Sequence, residues 1–294
     1  MSAIRPRRSV LYMPGANERA LEKAKTLPAD SLILDLEDAV APEAKVEARE
    51  RVCAAVKAGG YGPRELVIRI NGLDTEWGAG DMAAAVQARP DAILAPKVNG
   101  PADIDRLEEA LYGDHAMADV ALWVMIETPM AILNIREIAA RAHATQLKGF
   151  VMGTNDLLKD FRADPMPGRE NLMTTYTLAI AAARAFDLVI FDGVYNDIAN
   201  TEGFAAEARQ AKAFGFDGKT LIHPTQVEPC NAIFAPPVDA VKQSRDVIAA
   251  FADPANAGKG VLKVNGKMTE LLHLAQAKRM VAVAEAIAAR EASN

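Results

Sequence analysis

The sequence predicts an α/β fold in which eight parallel strands, each followed by helical segments, close into a (β/α)8 barrel. Short apolar runs recur eight times, stretches of helical spacing separate them, and 294 residues are enough for one barrel plus an appendage. The runs are nearly continuous in Val, Ile and Leu, which is typical of strands that are buried on both faces. The predicted strands are Ser9–Pro14, Ser31–Asp38, Leu66–Gly72, Ala92–Val98, Ala121–Thr128, Gly149–Asp156, Leu188–Gly193 and Lys219–Pro224.

The segments between these strands predict helices, as in Pro42–Lys57 and Ile104–Leu111, where apolar residues recur at helical spacing. Pro42 and Pro101 suit the first turn of a helix, where the amide proton that proline lacks is not needed. An open doubly wound sheet is the alternative. The first strand-to-helix turn, Pro14–Asn17, disfavours it, because this turn reads PGAN rather than a Gly-x-Gly-x-x-Gly dinucleotide loop.

The residues after the eighth strand predict two more helices, Val238–Phe251 and Glu270–Arg290. Between them, Asn265–Gly266 predicts a two-residue β-hairpin turn. We therefore expect a barrel domain over residues 1–235 and a C-terminal helical extension over residues 236–294. The glycine- and lysine-bearing segment of this extension is equally compatible with a mobile lid and with an ordinary packing loop.

The composition restricts the class of protein. A formal net charge of −6 argues against nucleic acid as a main partner, because phosphate binding requires a basic surface. No apolar run reaches the roughly 20 residues of a membrane helix, and Pro14 interrupts the short apolar run near the N-terminus, so we expect neither a membrane span nor a secretory signal. Cys53 and Cys230 lack metal-ligand spacing, which predicts buried thiols in a reducing cytoplasm.

Charged and polar residues stand at or near the C-terminal end of almost every predicted strand. In a barrel of this kind the C-terminal ends of the strands form the catalytic face. The solvent exposure of strand ends accounts for one or two such residues, but not for the whole series. These residues are Asp38, Arg69, Lys97, Glu127, Asp156, Asp192 and His223.

Glu127 and Asp156 end consecutive predicted strands, so their carboxylates can share a hard cation. No His or Cys cluster offers a softer site, and oxygen ligands indicate Mg²⁺, with waters and substrate completing its coordination. The alternative is a carboxylate pair that forms salt bridges with Arg69 or Lys97. Glu37–Asp38, at another strand end, is expected to hydrogen-bond waters on the metal.

Arg69 lies in a buried strand, where a guanidinium requires a partner. Its planar fork suits a carboxylate or a developing enolate oxygen, and a structural ion pair with Glu37 or Asp38 is the alternative. Lys97 has the same two interpretations, and a Schiff-base role ranks below metal catalysis. His223 is expected to position or contact a ligand.

Nine motifs, taken in order, resemble the citrate lyase β-subunit-like branch of the HpcH/HpaI aldolase superfamily. The resemblance spans nearly the whole chain and implies a TIM barrel that assembles as a homo-oligomer, a trimer or a hexamer. The matching segments are Arg8–Gly15, Leu34–Arg49, Val67–Gly72, Pro96–Val98, Ile126–Pro129, Gly153–Leu157, Phe191–Val194, Gly218–Val227 and Gly266–Met268.

The resemblance also implies residue roles. Glu127 and Asp156 become the Mg²⁺ ligands, and Arg69 binds the thioester or enolate oxygen, with Glu37 and Asp38 as further catalytic carboxylates. The residues implied to contact the substrate or its coenzyme A moiety are Pro14, Gly15, Lys45, Arg49, Lys97 and His223.

In members of this family, an acidic residue just after the GKM motif enters the active site of an adjacent subunit. There it exchanges the proton at the acyl α-carbon. Family members commonly carry Asp in a GKMID-like string, whereas this chain reads GKMTE, so Glu270 takes that position with one additional methylene. The extension is thus expected to reach a neighbouring subunit.

The implied activity is a Mg²⁺-dependent carbon–carbon lyase that acts on an acyl-CoA and a small 2-oxo acid. Citramalyl-CoA, giving acetyl-CoA and pyruvate, ranks first, followed by malyl-CoA or methylmalyl-CoA, giving glyoxylate, and by a citrate lyase β subunit acting on an acyl-carrier protein. A different class is a thioesterase that hydrolyses malyl-CoA. A non-catalytic binding protein is disfavoured by the set of carboxylates with Arg69, and a CoA-independent aldolase by the long C-terminal extension.

Overall fold

The computed structural model describes residues 4–112 and 120–292 of the chain. These residues form two compact units. The first is Arg7–Phe234, and the described part of the second consists of residues 4–6 and 235–292.

The first unit contains a closed barrel of parallel strands. Neighbouring strands in the sequence are neighbours in the sheet, and the first strand pairs with the eighth, which closes the barrel. The (β/α)8 prediction is therefore confirmed. The strands are β1 (Ser9–Pro14), β2 (Ser31–Asp35), β3 (Glu65–Arg69), β4 (Ala92–Ala95), β5 (Ala121–Ile126), β6 (Leu147–Met152), β7 (Val189–Asp192) and β8 (Gly218–Leu221).

Helices follow the strands as the sequence predicts, with Pro101 opening its helix and Pro42 opening a short 3-10 turn before the next helix. Asn17 and Thr128 cap helix N-termini by accepting a backbone N–H. The helices are α1 (Glu18–Ala24), α2 (Lys45–Ala58), α3 (Gly78–Ala88), α4 (Pro101–Tyr112), α5 (Pro129–Leu133), α6 (Ile135–Ala140), α7 (Thr154–Phe161), α8 (Met173–Ala185), α9 (Thr201–Phe214) and α10 (Val227–Phe234).

Several predicted strands are too long at their C-terminal ends. The clearest case is Gly149–Asp156, because β6 ends at Met152 and α7 begins at Thr154. Asp156 therefore lies in the first turn of a helix and not on a strand. Buried apolar residues continue past the strand ends, as at Leu36 after β2 and Ile70 after β3, so hydrophobicity alone does not locate the end of a strand.

The barrel strands alternate between two hydrophobic clusters, as the period of two for strand side chains requires. Residues of one parity pack together inside the barrel, where the Trp123 and Phe191 rings lie with centroids 4.8 Å apart. Residues of the other parity pack with the helices in the larger cluster. The interior cluster contains Val10, Ile33, Val67, Ala92, Leu94, Trp123, Met125, Val151 and Phe191.

Asp192 does not join the other strand-end residues, which corrects the prediction that places it on the catalytic face. It follows the interior residue Phe191 and therefore has the opposite parity. Its carboxylate is fully buried, 2.7 Å from Arg169 Nη1 and 2.7 Å from Lys219 Nζ. Lys219 Nζ also contacts Glu207 Oε1 of α9 at 2.6 Å. This network ties β7 and β8 to the helical layer.

The second unit contains α11 (Val238–Ala252), β9 (Val261–Val264), β10 (Lys267–Glu270) and α12 (Leu271–Glu291). The helices α11 and α12 pack against each other, and β9 pairs with β10 as an antiparallel hairpin. The predicted helices and the predicted turn are confirmed. Asn265 and Gly266 have φ of 49° and 80°, as a tight hairpin turn of the Asn-Gly type requires. The role of this unit as a lid stays a prediction.

Two expectations from composition bear on the compartment. Cys53 and Cys230 are free, buried thiols, as expected. Within the described parts of the chain, no helix is long and apolar enough to cross a membrane. The cytoplasmic location stays a prediction.

The buried network around Asp192 predicts a large effect on stability. We expect Asp192→Ala to lower the free energy of unfolding by about 3–5 kcal/mol, because it leaves the positive charges of Lys219 and Arg169 buried with too little compensation. Urea denaturation followed by circular dichroism measures this change. The matched control is Glu22→Ala on α1, since Glu22 is 63% exposed and pairs with Lys25. Removing it should cost less than about 1 kcal/mol. Equal losses in both variants would contradict the assigned role of the network.

Candidate active site

A cavity of about 290 Å³ opens where the barrel strands end. Residues of β1, β2, β3, β5, β6 and β8, of the loops after β2, β6, β7 and β8, and of the first turn of α7 form its wall. This position is the catalytic face of such barrels. The lining residues are Tyr12, Asp35, Asp38, Ala39, Arg69, Met125, Met152, Gly153, Thr154, Asn155, Asp156, Val194, Asn196, Thr220 and Ile222.

Arg69 is buried at this end of the barrel and is held from several sides. Its Nε and Nη2 donate to the two carboxylate oxygens of Asp35, each at 2.6 Å. Its Nη1 lies 2.7 Å from Glu37 Oε2 and donates to Asp38 Oδ2 at 3.2 Å. The ring of Tyr12 lies 4.9 Å from the guanidinium carbon. The guanidinium is thus fixed in one orientation at the cavity wall.

The residue that holds Arg69 most firmly, Asp35, was not among the predicted site residues. It ends β2 directly beside Arg69 at the end of β3, and the parallel register pairs the two residues. Asp35 also accepts the backbone N–H groups of Glu37 at 2.9 Å and Ala39 at 3.0 Å. One buried carboxylate therefore fixes both Arg69 and the loop that carries Glu37 and Asp38. The parity shared by Ile33, Asp35 and Glu37 is the sequence signal that predicts this placement.

Glu37 and Asp38 differ in their surroundings. The Asp38 side chain is 70% exposed, whereas that of Glu37 is 14% exposed. Burial raises the pKa of Glu37 to about 8, although the positive charge of Arg69 opposes this shift. Glu37 Oε2 is close to Arg69 Nη1 without the geometry of a hydrogen bond, so their attraction is electrostatic.

Glu127 and Asp156 contact the same ammonium group, which belongs to Lys97. Lys97 Nζ lies 3.4 Å from Glu127 Oε1 and 2.8 Å from Asp156 Oδ1. The structure therefore brings the two predicted metal ligands close enough to share one cation. It also shows the salt bridge to Lys97 that the sequence left as an alternative.

This donor set fits Mg²⁺. No group of three or more His, Cys, Asp or Glu residues suited to a metal occurs within residues 4–112 and 120–292. Mg²⁺ does not require such a group, because proteins usually hold it through one or two carboxylates while waters and substrate oxygens supply the rest. The assignment of Glu127 and Asp156 as its ligands stays a prediction.

The chain builds a tight pocket around Glu127, which is 1% exposed. Its Oε1 accepts the backbone N–H of Lys97 at 2.7 Å. A Cβ at Gly153 would lie 2.3 Å from Glu127 Cβ, so only glycine fits at this position of the GTNDL motif.

Burial raises the pKa of Glu127 above its ordinary value, and the positive charge of Lys97 only partly offsets this increase. Burial works to lower the pKa of Lys97, but Asp156 and Glu127 together hold it above the ordinary value.

Pro14 and Gly15 are the first two residues along the chain that are predicted to lie near coenzyme A. Pro14 ends β1, and Gly15 follows it. The backbone N–H of Gly15 donates to Asp35 O at 2.9 Å, and a Cβ would lie 2.5 Å from the same oxygen. The Lys45 ammonium is buried and donates to Leu36 O, Glu37 O and Asn71 Oδ1 at 2.7–3.0 Å. Gly15 and Lys45 therefore have structural roles that the sequence did not predict.

Arg49 and His223 also have local partners. Arg49 Nε donates to the buried Asp81 at 2.6 Å, which joins α2 to α3. His223 lies just after β8, and its Nδ1 accepts the backbone N–H of Thr225 at the start of a short 3-10 turn. The predicted contacts of Pro14, Gly15, Lys45, Arg49 and His223 with coenzyme A stay predictions.

Glu270 lies in the second unit, where it ends β10 and precedes α12. Its backbone N–H donates to His273 Nδ1 at 3.0 Å. Its role at the acyl α-carbon stays a prediction.

Comparison with known proteins identifies the family. Residues 8–224 match the HpcH/HpaI aldolase/citrate lyase family model. The chain belongs to this family. The match covers the barrel strands and every predicted site residue of the barrel, so the resemblance that the motifs indicate is confirmed.

Relatives within the family have different described activities. The chain is 46% identical to a (3S)-malyl-CoA thioesterase of Cereibacter sphaeroides over 98% of each chain. It is 35% identical to the citrate lyase subunit beta of Escherichia coli strain K12, over 98% of this chain and 96% of that protein. Among solved structures, CitE from Mycobacterium tuberculosis in complex with magnesium, acetoacetate and coenzyme A matches with a TM-score of 0.74 and 28% identity, covering 94% of this chain and 97% of that one.

The pKa of Glu37 predicts a pH-dependent stability. Between its ordinary value of 4.5 and about 8, Glu37 keeps a proton in the native state that the unfolded state releases, so the native state loses stability as the pH rises through this range. Glu37→Gln removes this titration. We expect the free energy of unfolding of the variant, relative to wild type, to rise between about pH 5 and 8, by at most ~1.4 kcal/mol per pH unit. Urea denaturation in EDTA measures it, and a difference that is independent of pH would contradict the effect of burial on Glu37.

Proposed function

We propose that this protein is a Mg²⁺-dependent thioesterase that hydrolyses malyl-CoA or a similar β-hydroxyacyl-CoA to coenzyme A and the free acid. The observation that carries the proposal is that the carboxylates of Glu127 and Asp156 contact the same positively charged group, the Lys97 ammonium. They do so in a barrel whose cavity wall includes Asp156 and the buried Arg69. The similarity to a (3S)-malyl-CoA thioesterase over almost the full length of both chains supports hydrolysis and this substrate.

In this proposal Glu127 and Asp156 hold Mg²⁺. A magnesium ion bound there would supply positive charge to the acidic end of the malyl group. The cavity of about 290 Å³ is near the lower limit of small-molecule pockets, which suits the acyl group rather than the whole of coenzyme A. Through a bound Mg²⁺, the two carboxylates would select the acidic end of the substrate.

Arg69 faces the other end of the acyl group. Its guanidinium donates to the thioester oxygen and stabilises the negative charge that develops there, an effect worth roughly a few kcal/mol. Asp35 holds the guanidinium through two hydrogen bonds, so little reorganisation is required when the substrate binds. Hydrolysis then adds water across the carbon–sulfur bond, with a hydroxyl on the carbonyl carbon and a proton on sulfur.

A second candidate is cleavage of citramalyl-CoA to acetyl-CoA and pyruvate, the activity that ranks first from the sequence. The specific observation in its favour is the same buried guanidinium, because breaking the Cα–Cβ bond places an enolate charge on the thioester oxygen. Glu270, supplied by a neighbouring subunit of a homo-oligomer, would protonate the enolate carbon. The solved relative in complex with magnesium, acetoacetate and coenzyme A supports a site of this kind.

The products distinguish the two candidates. Purified protein is incubated with malyl-CoA and with citramalyl-CoA, in Mg²⁺ or in EDTA, and free coenzyme A, acetyl-CoA and 2-oxo acid are measured together. We expect free coenzyme A without glyoxylate, and only with Mg²⁺. Equal amounts of acetyl-CoA and 2-oxo acid would replace hydrolysis by carbon–carbon cleavage, and the absence of both products would exclude both candidates.

Glu127→Gln tests the metal assignment, since it keeps the shape of the side chain and removes its charge. We expect this variant to lose the activity that depends on Mg²⁺. Full activity in the variant would contradict the metal assignment while leaving the product analysis valid.

The role of Glu270 in the second candidate makes two predictions. A Glu270 variant should lose proton exchange, and subunits with different defects should complement each other. Glu270→Gln should slow exchange of the acetyl-CoA α-protons in D₂O by roughly 10²–10⁴-fold, the usual contribution of a general acid–base group. Proton NMR of the acetyl methyl signal measures this rate.

Mixed oligomers test whether Glu270 acts on a neighbouring subunit. Glu270→Gln and Glu127→Gln subunits, unfolded and refolded together, should regain part of the wild-type rate, because some sites then combine an intact barrel with an intact Glu270. Exchange at the wild-type rate in Glu270→Gln alone would remove Glu270 from the mechanism. Mixtures that stay inactive would place its action within its own subunit.

A further inference from the structure

Lys97 touches the proposed metal ligands with both its backbone and its side chain. The backbone N–H donates to Glu127 Oε1 at 2.7 Å, and the ammonium lies near the same oxygen at 3.4 Å. The ammonium also reaches Asp156 Oδ1 at 2.8 Å. Its φ of 55° is in the left-handed region, which a residue with a side chain adopts at some cost in energy. The β4–α4 turn therefore holds one lysine in contact with both carboxylates.

The charges around the pair explain why such a lysine is useful. Two carboxylates that approach one site repel each other unless a cation lies between them. Lys97 supplies one positive charge against these two negative charges. Lys159 also approaches Asp156, but its ammonium is 3.9 Å away and its side chain is 77% exposed.

A divalent ion held by Glu127 and Asp156 would draw on the same two carboxylates that the Lys97 ammonium contacts. The Lys97 side chain is 42% exposed, so its flexible stem can carry the ammonium into solvent without disturbing the core. The backbone N–H of Lys97 does not have to move with it. The two contacts of this residue are therefore separable.

We infer that Lys97 is an internal cation of the site, which competes with Mg²⁺ for Glu127 and Asp156 and sets the Mg²⁺ concentration at which the site fills. The inference rests on the proposed function, which assigns Mg²⁺ to these carboxylates. A divalent ion carries twice the charge of the ammonium and displaces it, whereas a monovalent ion has no such advantage. Lys97 thus makes the pair selective for divalent cations, and it offsets one of the two negative charges until a divalent ion binds.

Isothermal titration of the purified protein with MgCl₂ tests the inference without any measurement of activity. Lys97→Met keeps the backbone N–H, the Cβ and most of the stem, and removes only the charge. We expect this variant to bind Mg²⁺ about fivefold or more tightly than wild type, as expected when a partly exposed ion pair is removed from competition. Lys159→Met, the matched control, should change the dissociation constant less than about twofold.

Thermal melting gives a second measurement that does not depend on the heat of binding. In EDTA, Lys97→Met should melt at a lower temperature than wild type, because the two carboxylates are no longer compensated. Saturating Mg²⁺ should raise its melting temperature more than it raises that of wild type.

The outcomes separate this inference from the proposed function. Equal or weaker Mg²⁺ binding by Lys97→Met would overturn the inference, because the ammonium would then not compete with the metal, while the metal site itself would stand. Binding that is lost in Glu127→Gln but tightened in Lys97→Met would support both. If wild type, Lys97→Met and Glu127→Gln all fail to bind Mg²⁺, the metal assignment and the inference both fall.

Discussion

A strand in a closed barrel sends alternate side chains to the interior, and this alternation decides which residues of the chain meet at its site. The interior residues Ile33 and Val67 are followed two positions later by Asp35 and Arg69, which form the ion pair at the barrel end. In the same way, the series that starts at Trp123 continues through Met125 to Glu127. For Asp35, Arg69 and Glu127, core and site are therefore successive layers of one set of interior positions, and Asp156 joins them from the first turn of α7. A shift of one residue in β2 or β3 would move Asp35 or Arg69 from the barrel end toward the helices.

Charges at this end of the barrel are compensated before any substrate binds. Asp35 neutralises Arg69, and Lys97 contacts both Glu127 and Asp156. Buried ions are tolerated only when they are paired, because desolvation of a single charge is costly. The pairs differ in one respect that matters for function. The Asp35–Arg69 pair is almost fully buried and fixed by two short hydrogen bonds, whereas the Lys97 side chain is partly exposed. The exposure of the Lys97 side chain is what allows the cation exchange that we infer at Glu127 and Asp156.

The alternation also explains how far the sequence predicted this structure. The apolar runs located all eight strands, and the position of Arg69, Glu127 and Asp156 near strand ends brought them to one region. The sequence did not show that Asp192 faces the helices, because that depends on parity relative to Phe191 rather than on position in the run. It also missed Asp35, which pairs with Arg69 only through the register of β2 and β3. The structural use of Lys45 depends on three acceptors that the fold brings together from separate segments.

Hydrolysis and carbon–carbon cleavage of a β-hydroxyacyl thioester place negative charge on the same oxygen, so the roles proposed for Arg69 and for the Glu127–Asp156 pair suit both reactions. The reactions differ in the bond that changes, since either water attacks the carbonyl carbon or the Cα–Cβ bond breaks. That choice depends on how water and a proton donor reach the acyl group. A family built on this barrel can therefore include both a malyl-CoA thioesterase and a citrate lyase β subunit, each similar to this chain over almost its whole length.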